Sequence, residues 1–341
     1  MWITSYKEMK AVIVGAGLSS ATVASYLIKS GWEVEVFETR NHIAGNCYDF
    51  EDPIKVKVHR YGPHAFHTDN KEVWDYLNQY TKFTNFKLIV NSQIQSGKII
   101  PIPFNHKSQE IVGDWTDSQI IEELFKTYSK KHWGCDWDKL PKSITTRVPK
   151  RRDSSLNTYH EDKYQGLPVN GYTKMIEAMF EGCTIHLGCS IDDWKKSRND
   201  LLIYTGSIDT YYNYYLGVLT YRSLRFEFKE SNLTPYIQLN KCNNDPETRI
   251  IDHSHWYSNT RLRTEKTIIS KEYSEEFEVS NMFTDRYYPK SYESNHIYEQ
   301  YKNIYNPKVI FLGRLGTYKY LDMDDCVAQA LAKIKNLLES R

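Results

Sequence analysis

A chain of 341 residues has room for roughly two or three domains, and its 44 Lys and Arg against 43 Asp and Glu leave a formal charge of +1, which argues against nucleic acid or an anionic membrane as partner. No apolar run reaches the ~18 residues of a membrane span, and 1–6 shows no charged-then-apolar leader, so the expected location is the cytoplasm, without membrane insertion. Six cysteines, at 47, 135, 183, 189, 242 and 326, have neither metal-ligand nor disulfide-framework spacing, which predicts reduced thiols and no metal.

Residues 1–8 precede the first strand and are expected to form a frayed extension. The apolar strand 11–14 runs into Gly15-Ala16-Gly17-Leu18-Ser19-Ser20, then an Ala-rich helical stretch, then a second strand at 33–37 that ends beside Glu38. This is a dinucleotide-binding pattern. Gly15 and Gly17 let the backbone turn tightly against a pyrophosphate, the helix N-terminus favours its charge, and Glu38 stands where a ribose hydroxyl needs an acceptor. Ser20 takes the place of a third glycine and is small enough for helix and strand to touch. Residues 70–80 read as a helix with Val73, Trp74 and Leu77 on one face, and 86–90 and 98–102 read as strands. Over 116–133, Ile120, Ile121, Leu124, Phe125 and Tyr128 recur at helical spacing behind Asp117 or Ser118 as N-cap. The basic, proline-punctuated stretch 141–155, with Arg147, Lys150, Arg151 and Arg152, has the pattern of a solvated, mobile loop. A helix at 171–180 and a short strand at 201–204 follow. Strand-like stretches at 224–228, 235–239, 249–253 and 267–273 with no helix between them predict an antiparallel sheet. A strand and glycine turn at 309–314 and a helix at 323–338 return the chain to its first unit. The 27 tyrosines suit pockets for rings and phosphates, although most tyrosines are packing residues.

Several motifs then fall in one order: Gly15-Ala16-Gly17 with Glu38-x-Arg40; His42-Ile43-Ala44-Gly45-Asn46; Tyr61-Gly62-Pro63-His64-x-Phe66-His67-Thr68; Tyr128-Ser129-x-x-x-Trp133-Gly134; Thr146-Arg147-x-Pro149; Tyr221-Arg222-Ser223-Leu224; Thr248-Arg249-Ile250; Tyr287-Tyr288-Pro289; and Gly313-Arg314 through Tyr320-Leu321-Asp322. In this order the chain resembles the bacterial UDP-galactopyranose mutase family from Met9 to Leu338. The resemblance implies an α/β fold with a discontinuous Rossmann-like FAD-binding domain (9–68, 160–206 and 306–341). It adds a small helical domain with a mobile loop (69–80 and 105–159) and an antiparallel β-sheet domain (81–104 and 207–305). The implied reaction interconverts UDP-galactopyranose and UDP-galactofuranose, as in cell-surface polysaccharide biosynthesis. N5 of reduced FAD acts as nucleophile at the anomeric carbon, so the protein needs no nucleophile of its own. Implied partners are the UDP-sugar, an external reductant such as NAD(P)H, and a second copy in a homodimer.

Carried over by motif, the cofactor residues are Gly15, Gly17, Leu18, Ser19, Glu38, Thr39, Arg40, Gly45, Asn46, Tyr61, His64, Arg222, Gly313, Arg314, Tyr320, Leu321 and Asp322. His64 is implied beside the flavin ring, Arg222 as a charge that tunes it, and Arg314 with Gly313 near the FAD diphosphate. The substrate residues are Phe125, Tyr128, Ser129, Trp133, Arg147, Tyr159, Asn240, Arg249, Tyr288, Tyr320 and Asp322, with uracil against the aromatic helix. The catalytic set is His64, Arg147, Arg249, Tyr288 and Tyr320, since a departing diphosphate calls for guanidinium forks and phenol donors. Asp322 either orients a neighbour or caps the last helix. The stretch 105–120 is much shorter than the family's helical insertion, so the helical domain is reduced. Leu88 and Ile89 are apolar where the family tends to carry polar residues near the sugar. Two alternatives stay open: a mutase of another nucleotide-linked hexose, N-acetylated or deoxy, and an FAD-dependent oxidoreductase, which has no use for the Arg and Tyr set.

Overall fold

The apolar run at 11–14 becomes the middle of a five-stranded parallel sheet. In the computed structural model, which describes residues 9–148, 150–152, 154–257, 265–282, 284–304 and 306–340, Lys10–Val14 lies between Leu201–Tyr204 and Glu33–Phe37. Val309–Phe311 and Thr184–His186 take the two edges. The expected extension at 1–8 and Pro149 of the arginine motif lie outside the described residues. Strands buried on both faces read as continuous apolar runs, and Ala11, Val12 and Ile13 are fully buried. The first helix, Leu18–Lys29, packs against the last, Met323–Glu339, through Ala21, Ala24 and Leu27 on one and Val327, Leu331 and Ile334 on the other. The two ends of the chain thus share one core, as the sequence predicts. The edge strand Thr184–His186 was not legible, because three residues show no period.

A second sheet of seven strands runs in the order Tyr288–Pro289, Tyr221–Asn232, Lys266–Glu276, Arg249–Asp252, Gln238–Lys241, Val90–Gln93 and Ile99–Ile102. It is mixed rather than purely antiparallel, since Gln238–Lys241 pairs in parallel with Val90–Gln93. The strand expected at 86–90 starts only at Val90. Before it the chain is held by single pairings, Ile89 with Thr158 and Phe83 with Pro168.

The expected helix at 116–133 runs as Asp117–Ile120, a wide π-type turn at Ile121–Lys126, and Thr127–Trp133. Its cap is Thr116 rather than Asp117 or Ser118: the hydroxyl accepts from the Gln119 amide at 3.3 Å and the Gln119 side chain accepts from the Thr116 amide at 2.9 Å. The extra residue in the π turn rotates everything downstream, which sets the direction of the side chains after Lys126. Between Asn105 and Thr116 lies the seven-residue helix His106–Val112. Arg151, read above as a solvated charge, is buried and donates to the carbonyls of Thr158 and Tyr159 at 2.5 and 3.1 Å, so it pins its loop.

One helix start is completed from a distance. Gly171, before Tyr172–Met179, has no side chain to cap with, and Asp49 accepts instead from the amides of Tyr172 and Thr173 at 2.7 and 3.0 Å. Gly171 is also required, because it has φ +91 and a Cβ there would come 2.5 Å from the Asp49 carboxylate. Asp49→Ala leaves that buried start unsatisfied, at a cost of about 2–3 kcal/mol. The expected outcome is a thermal midpoint several degrees lower in calorimetry; an unchanged midpoint would show that water replaces the carboxylate.

Candidate active site

Loops at the C-terminal ends of the parallel strands line a cavity of about 370 Å³. Gly15–Ser20 follows the first strand, Glu38–Arg40 and Ala44–Cys47 follow the second, Thr205–Ser207 follows Leu201–Tyr204, and Gly313 and Arg314 follow the last strand. Ligands of open α/β sheets bind at such ends. The helix Leu18–Lys29 begins at Gly17 without a side-chain cap, so its first amides and dipole are available to an anion. Neighbouring atoms crowd the crevice closely. A Cβ on Gly15, which has φ +94, would lie 2.2 Å from Thr205 Oγ1, and one on Gly45 would lie 3.1 Å from the Gly17 Cα. Glu38 accepts from the Ala16 amide at 2.8 Å through Oε2 and from the Arg40 amide at 2.9 Å through Oε1, so it ties the glycine turn to the next loop while lining the cavity.

A second cavity, of about 220 Å³, lies between the aromatic helix and the mixed sheet. The helix gives Phe125, Tyr128, Ser129 and Trp133, the sheet gives Asn240 and Arg249, and Arg147, Tyr159, Tyr288, Tyr320 and Asp322 close the remaining walls. His64, Tyr287, Arg314 and Met323 line both cavities, so the two meet there.

Arg249 is fixed by a fork to Glu272, with Nε to Oε1 at 2.9 Å and Nη2 to Oε2 at 2.5 Å, which leaves Nη1 outside the fork. Glu272 is fully buried and also accepts from Thr248 Oγ1 at 2.7 Å. Arg147 donates through Nη2 to both Asp322 oxygens at 2.6 Å and lies 4.4 Å from the centre of the Tyr320 ring. Burial works against the Asp322 charge, yet Arg147, His67 and Arg314 hold its pKa below the usual range. Arg314 donates to the Leu321 carbonyl at 2.6 Å and sits 5.2 Å from the rings of both Tyr288 and Tyr320, which stack on each other. Burial raises the pKa values of Tyr128, Tyr159 and Tyr288, which keeps all three phenols protonated as donors.

At the junction, His64 Nδ1 lies 2.7 Å from the Gly62 carbonyl and so carries the proton, which leaves Nε2 as an acceptor. Burial pushes its pKa down to about 4, against the help of that carbonyl and with Arg314 and Arg249 nearby, so His64 is neutral at physiological pH. Beside the second cavity, His67, His160 and Asp162 bring ligand-type atoms within 4.8 Å of one another. Their imidazoles stack with centroids 3.6 Å apart at 15°, so the ring lone pairs run side by side instead of converging as metal ligands must.

Most of the residues expected from sequence line the cavity assigned to them, with four exceptions. Arg222 lines neither cavity: its guanidinium donates to the carbonyls of Lys131 and His132 and to Glu276, so it joins the end of the aromatic helix to the sheet. Tyr61 stands behind the wall, with its hydroxyl on His42 and its carbonyl on Tyr287. Tyr320 and Asp322, expected on the cofactor as well, line only the second cavity. Asp322 serves both of its expected roles in part, since it pairs with Arg147 and is the N-cap residue of Met323–Glu339. Sequence reading missed Trp137, which stacks on Phe125 at 5.6 Å, and His132, one helical turn beyond Tyr128. The i, i+4 spacing could have found His132. It also missed Trp194 and Arg286 in the first cavity, which come from distant segments without a motif.

Fold and site together define a Rossmann-type dinucleotide-binding protein with an arginine- and tyrosine-lined cavity against its cofactor crevice. A family model described as UDP-galactopyranose mutase matches residues 123–320, and one for an NAD(P)-binding Rossmann-like domain matches residues 13–80. A probable UDP-galactopyranose mutase of Klebsiella pneumoniae is 33% identical, covering 96% of this chain and 94% of its own. A dTDP-fucopyranose mutase of Escherichia coli is 31% identical, covering 94% of this chain and 96% of its own. A crystal structure of reduced UDP-galactopyranose mutase superposes with a TM-score of 0.77 at 16% identity, over 98% of this chain and 94% of that one. The chain belongs to the UDP-galactopyranose mutase family. Among the described residues no helix is long and apolar enough to cross a membrane.

The buried histidines make a prediction about acid. Burial lowers the pKa values of His59, His64, His132, His160 and His253, to about 4 for His64 and about 3 for His160 and His253. Unfolded histidine titrates near 6.5, so between there and about 4 the unfolded chain binds more protons and stability is lost as the pH drops. The thermal midpoint is expected to fall continuously from pH 6.5 to 4.5; a flat profile would mean these rings are charged in the folded state.

Proposed function

We propose that the chain interconverts UDP-galactopyranose and UDP-galactofuranose, holding FAD in the first cavity and the UDP-sugar in the second. The observation that carries this reading is the shared wall at His64 and Arg314, where the two ligands can meet beside Arg147 and Arg249. The crevice fits the cofactor: an uncapped helix start, Gly15 and Gly45 at positive φ where a side chain would be strained, and Glu38 behind them suit a dinucleotide's pyrophosphate and ribose. When bound in its reduced form, FAD supplies the nucleophilic nitrogen for the anomeric carbon.

The residues of the chain then have distinct tasks. Negative charge grows on the diphosphate as its bond to the sugar breaks, so Arg249 and Arg147, with phenols from Tyr159, Tyr288 and Tyr320, stabilise that state more than the ground state. Asp322 holds Arg147 until the diphosphate arrives and exchanges one anion for another. Phe125, Tyr128, Trp133 and Trp137 give the base flat apolar faces. Gln238 donates to Asn240 Oδ1 at 2.9 Å, which leaves the Asn240 amide hydrogens for a carbonyl of the base. His64, neutral and with Nε2 free to accept, orients its neighbours at the junction without moving a proton. The cofactor part comprises 9–68, 160–206 and 306–341, the reduced helical part 69–80 and 105–159, and the sheet part 81–104 and 207–305. An external reductant such as NAD(P)H primes the flavin, and two copies form the homodimer.

A second reading, a mutase of a nucleotide-linked deoxy hexose, is favoured by Leu88, Ile102 and Leu124, which give the second cavity an apolar wall, and by the similarity to the dTDP-fucopyranose mutase. Chromatography of UDP-galactofuranose and dTDP-fucofuranose incubated with the yellow protein before and after reduction decides between them. Conversion is expected only after reduction; turnover by the oxidised protein refutes the mechanism, and steady peroxide formation favours an oxidase. Arg249→Ala is expected to keep FAD bound and to lose about 100-fold in kcat/KM, about 3 kcal/mol of transition-state stabilisation. Unchanged turnover would remove Arg249 from the site.

A further inference from the structure

Lys131 is not in either cavity, yet it has an unusual environment. Its Nζ donates to four backbone carbonyls, those of Lys241, Asn243, Asp245 and Glu247, at 2.6, 3.0, 2.8 and 2.8 Å. An ammonium has three protons, so four inward-facing carbonyls form the shell of a small cation rather than the surroundings of an ordinary surface lysine. These carbonyls belong to the connection between Gln238–Lys241 and Arg249–Asp252. At its two mouths stand Asn240 and Arg249, directly paired across the strands, and both line the second cavity. Lys131 itself sits on the helix that carries Tyr128, Ser129 and Trp133 of the opposite wall, and its own carbonyl accepts from Arg222 at 3.0 Å.

We propose that Lys131 is a positioning residue: its ammonium acts as an internal cation that locks the arginine-bearing hairpin to the aromatic helix and so sets the width of the nucleotide cavity. The proposal rests on the nucleotide reading of that cavity. Four carbonyl dipoles aimed at one point repel when the charge is removed, so the turn opens and Asn240 and Arg249 move apart from Tyr128 and Trp133. The lock is also sensitive to alkali. Burial pulls the Lys131 pKa down to about 8, with Cys242, Glu247 and Asp245 on the hairpin acting the other way and Lys241 opposing the charge. Lys241 is itself paired with Asp245 at 2.5 Å, and on the sheet side Arg222 faces the Lys131 carbonyl.

The test measures UDP and dTDP binding by tryptophan fluorescence, with flavin content and circular dichroism as controls. Lys131→Met, similar in length but uncharged, is expected to bind nucleotide about tenfold more weakly with flavin content unchanged, and to lower kcat as well as raise KM, because Arg249 is displaced. In Lys131→Ala, propylammonium is expected to restore affinity and tetramethylammonium, which has no N–H, is not. A folded Lys131→Met that binds nucleotide like the unsubstituted chain overturns the proposal, and so does a weakened Lys131→Ala that propylammonium leaves unchanged. Should both variants fail to fold, the unsubstituted chain decides: its nucleotide affinity is expected to fall with a midpoint near pH 8, below the alkaline range in which the N3–H of the base ionises, and where the diphosphate, with its last pKa at about 6, and the arginines keep their charges. A flat profile to pH 9.5 overturns the lock. If the unsubstituted chain binds neither nucleotide at any pH, the nucleotide reading itself is wrong and this proposal falls with it.

Discussion

Glu272 is a carboxylate with no exposure to water, placed in the centre of a β-sheet, and the architecture of the second cavity follows from it. A buried charge is tolerated only when it is paired with an opposite charge and hydrogen-bonded. Glu272 meets that condition with Thr248 Oγ1 and with two nitrogens of Arg249. The fork removes rotational freedom from a side chain that otherwise has ample, and it holds the guanidinium with one edge turned away from its partner. An arginine fixed in this way loses little entropy when it meets an anion, which is the physical content of preorganisation. The nearness of His132 to the same carboxylate, at 4.0 Å, brings the aromatic helix up against this buried pair.

The two cavities differ in the groups they offer to an anion. In the first, the recognition groups are backbone: an uncapped helix start and glycines whose missing side chains let the chain come close. In the second they are side chains with permanent charge and with phenols kept protonated by burial. Arg147 is paired with Asp322 at the start of the last helix, an ion pair that ties its loop to that helix. The apolar patch at Leu88 arises because the chain before Val90 is irregular, held by isolated pairings that turn it toward the cavity instead of into the sheet.

The sequence by itself determined the dinucleotide unit, because strand, glycine turn, helix and acid are consecutive and each is specified by local chemistry: apolar runs for buried strands, glycine for positive φ, a helix start for an anion. It also determined the return of the chain ends to one core and, through motif order, the arginines and phenols of the second cavity. Tertiary structure alone decided where that logic is not local. Arg222 belongs to a recognisable motif but spends its donors on the carbonyls of Lys131 and His132, and no periodicity announces that partner. Thr184–His186 is a strand only because an edge was open beside Glu33–Phe37. The π turn at Ile121–Lys126 re-aims the aromatic helix without leaving a mark on the apolar spacing. Lys131 reads as one more surface lysine until a hairpin more than a hundred residues away folds its carbonyls around it. Sequence encodes what neighbours along the chain can satisfy, and a buried charge takes its meaning from groups that only the fold brings within reach.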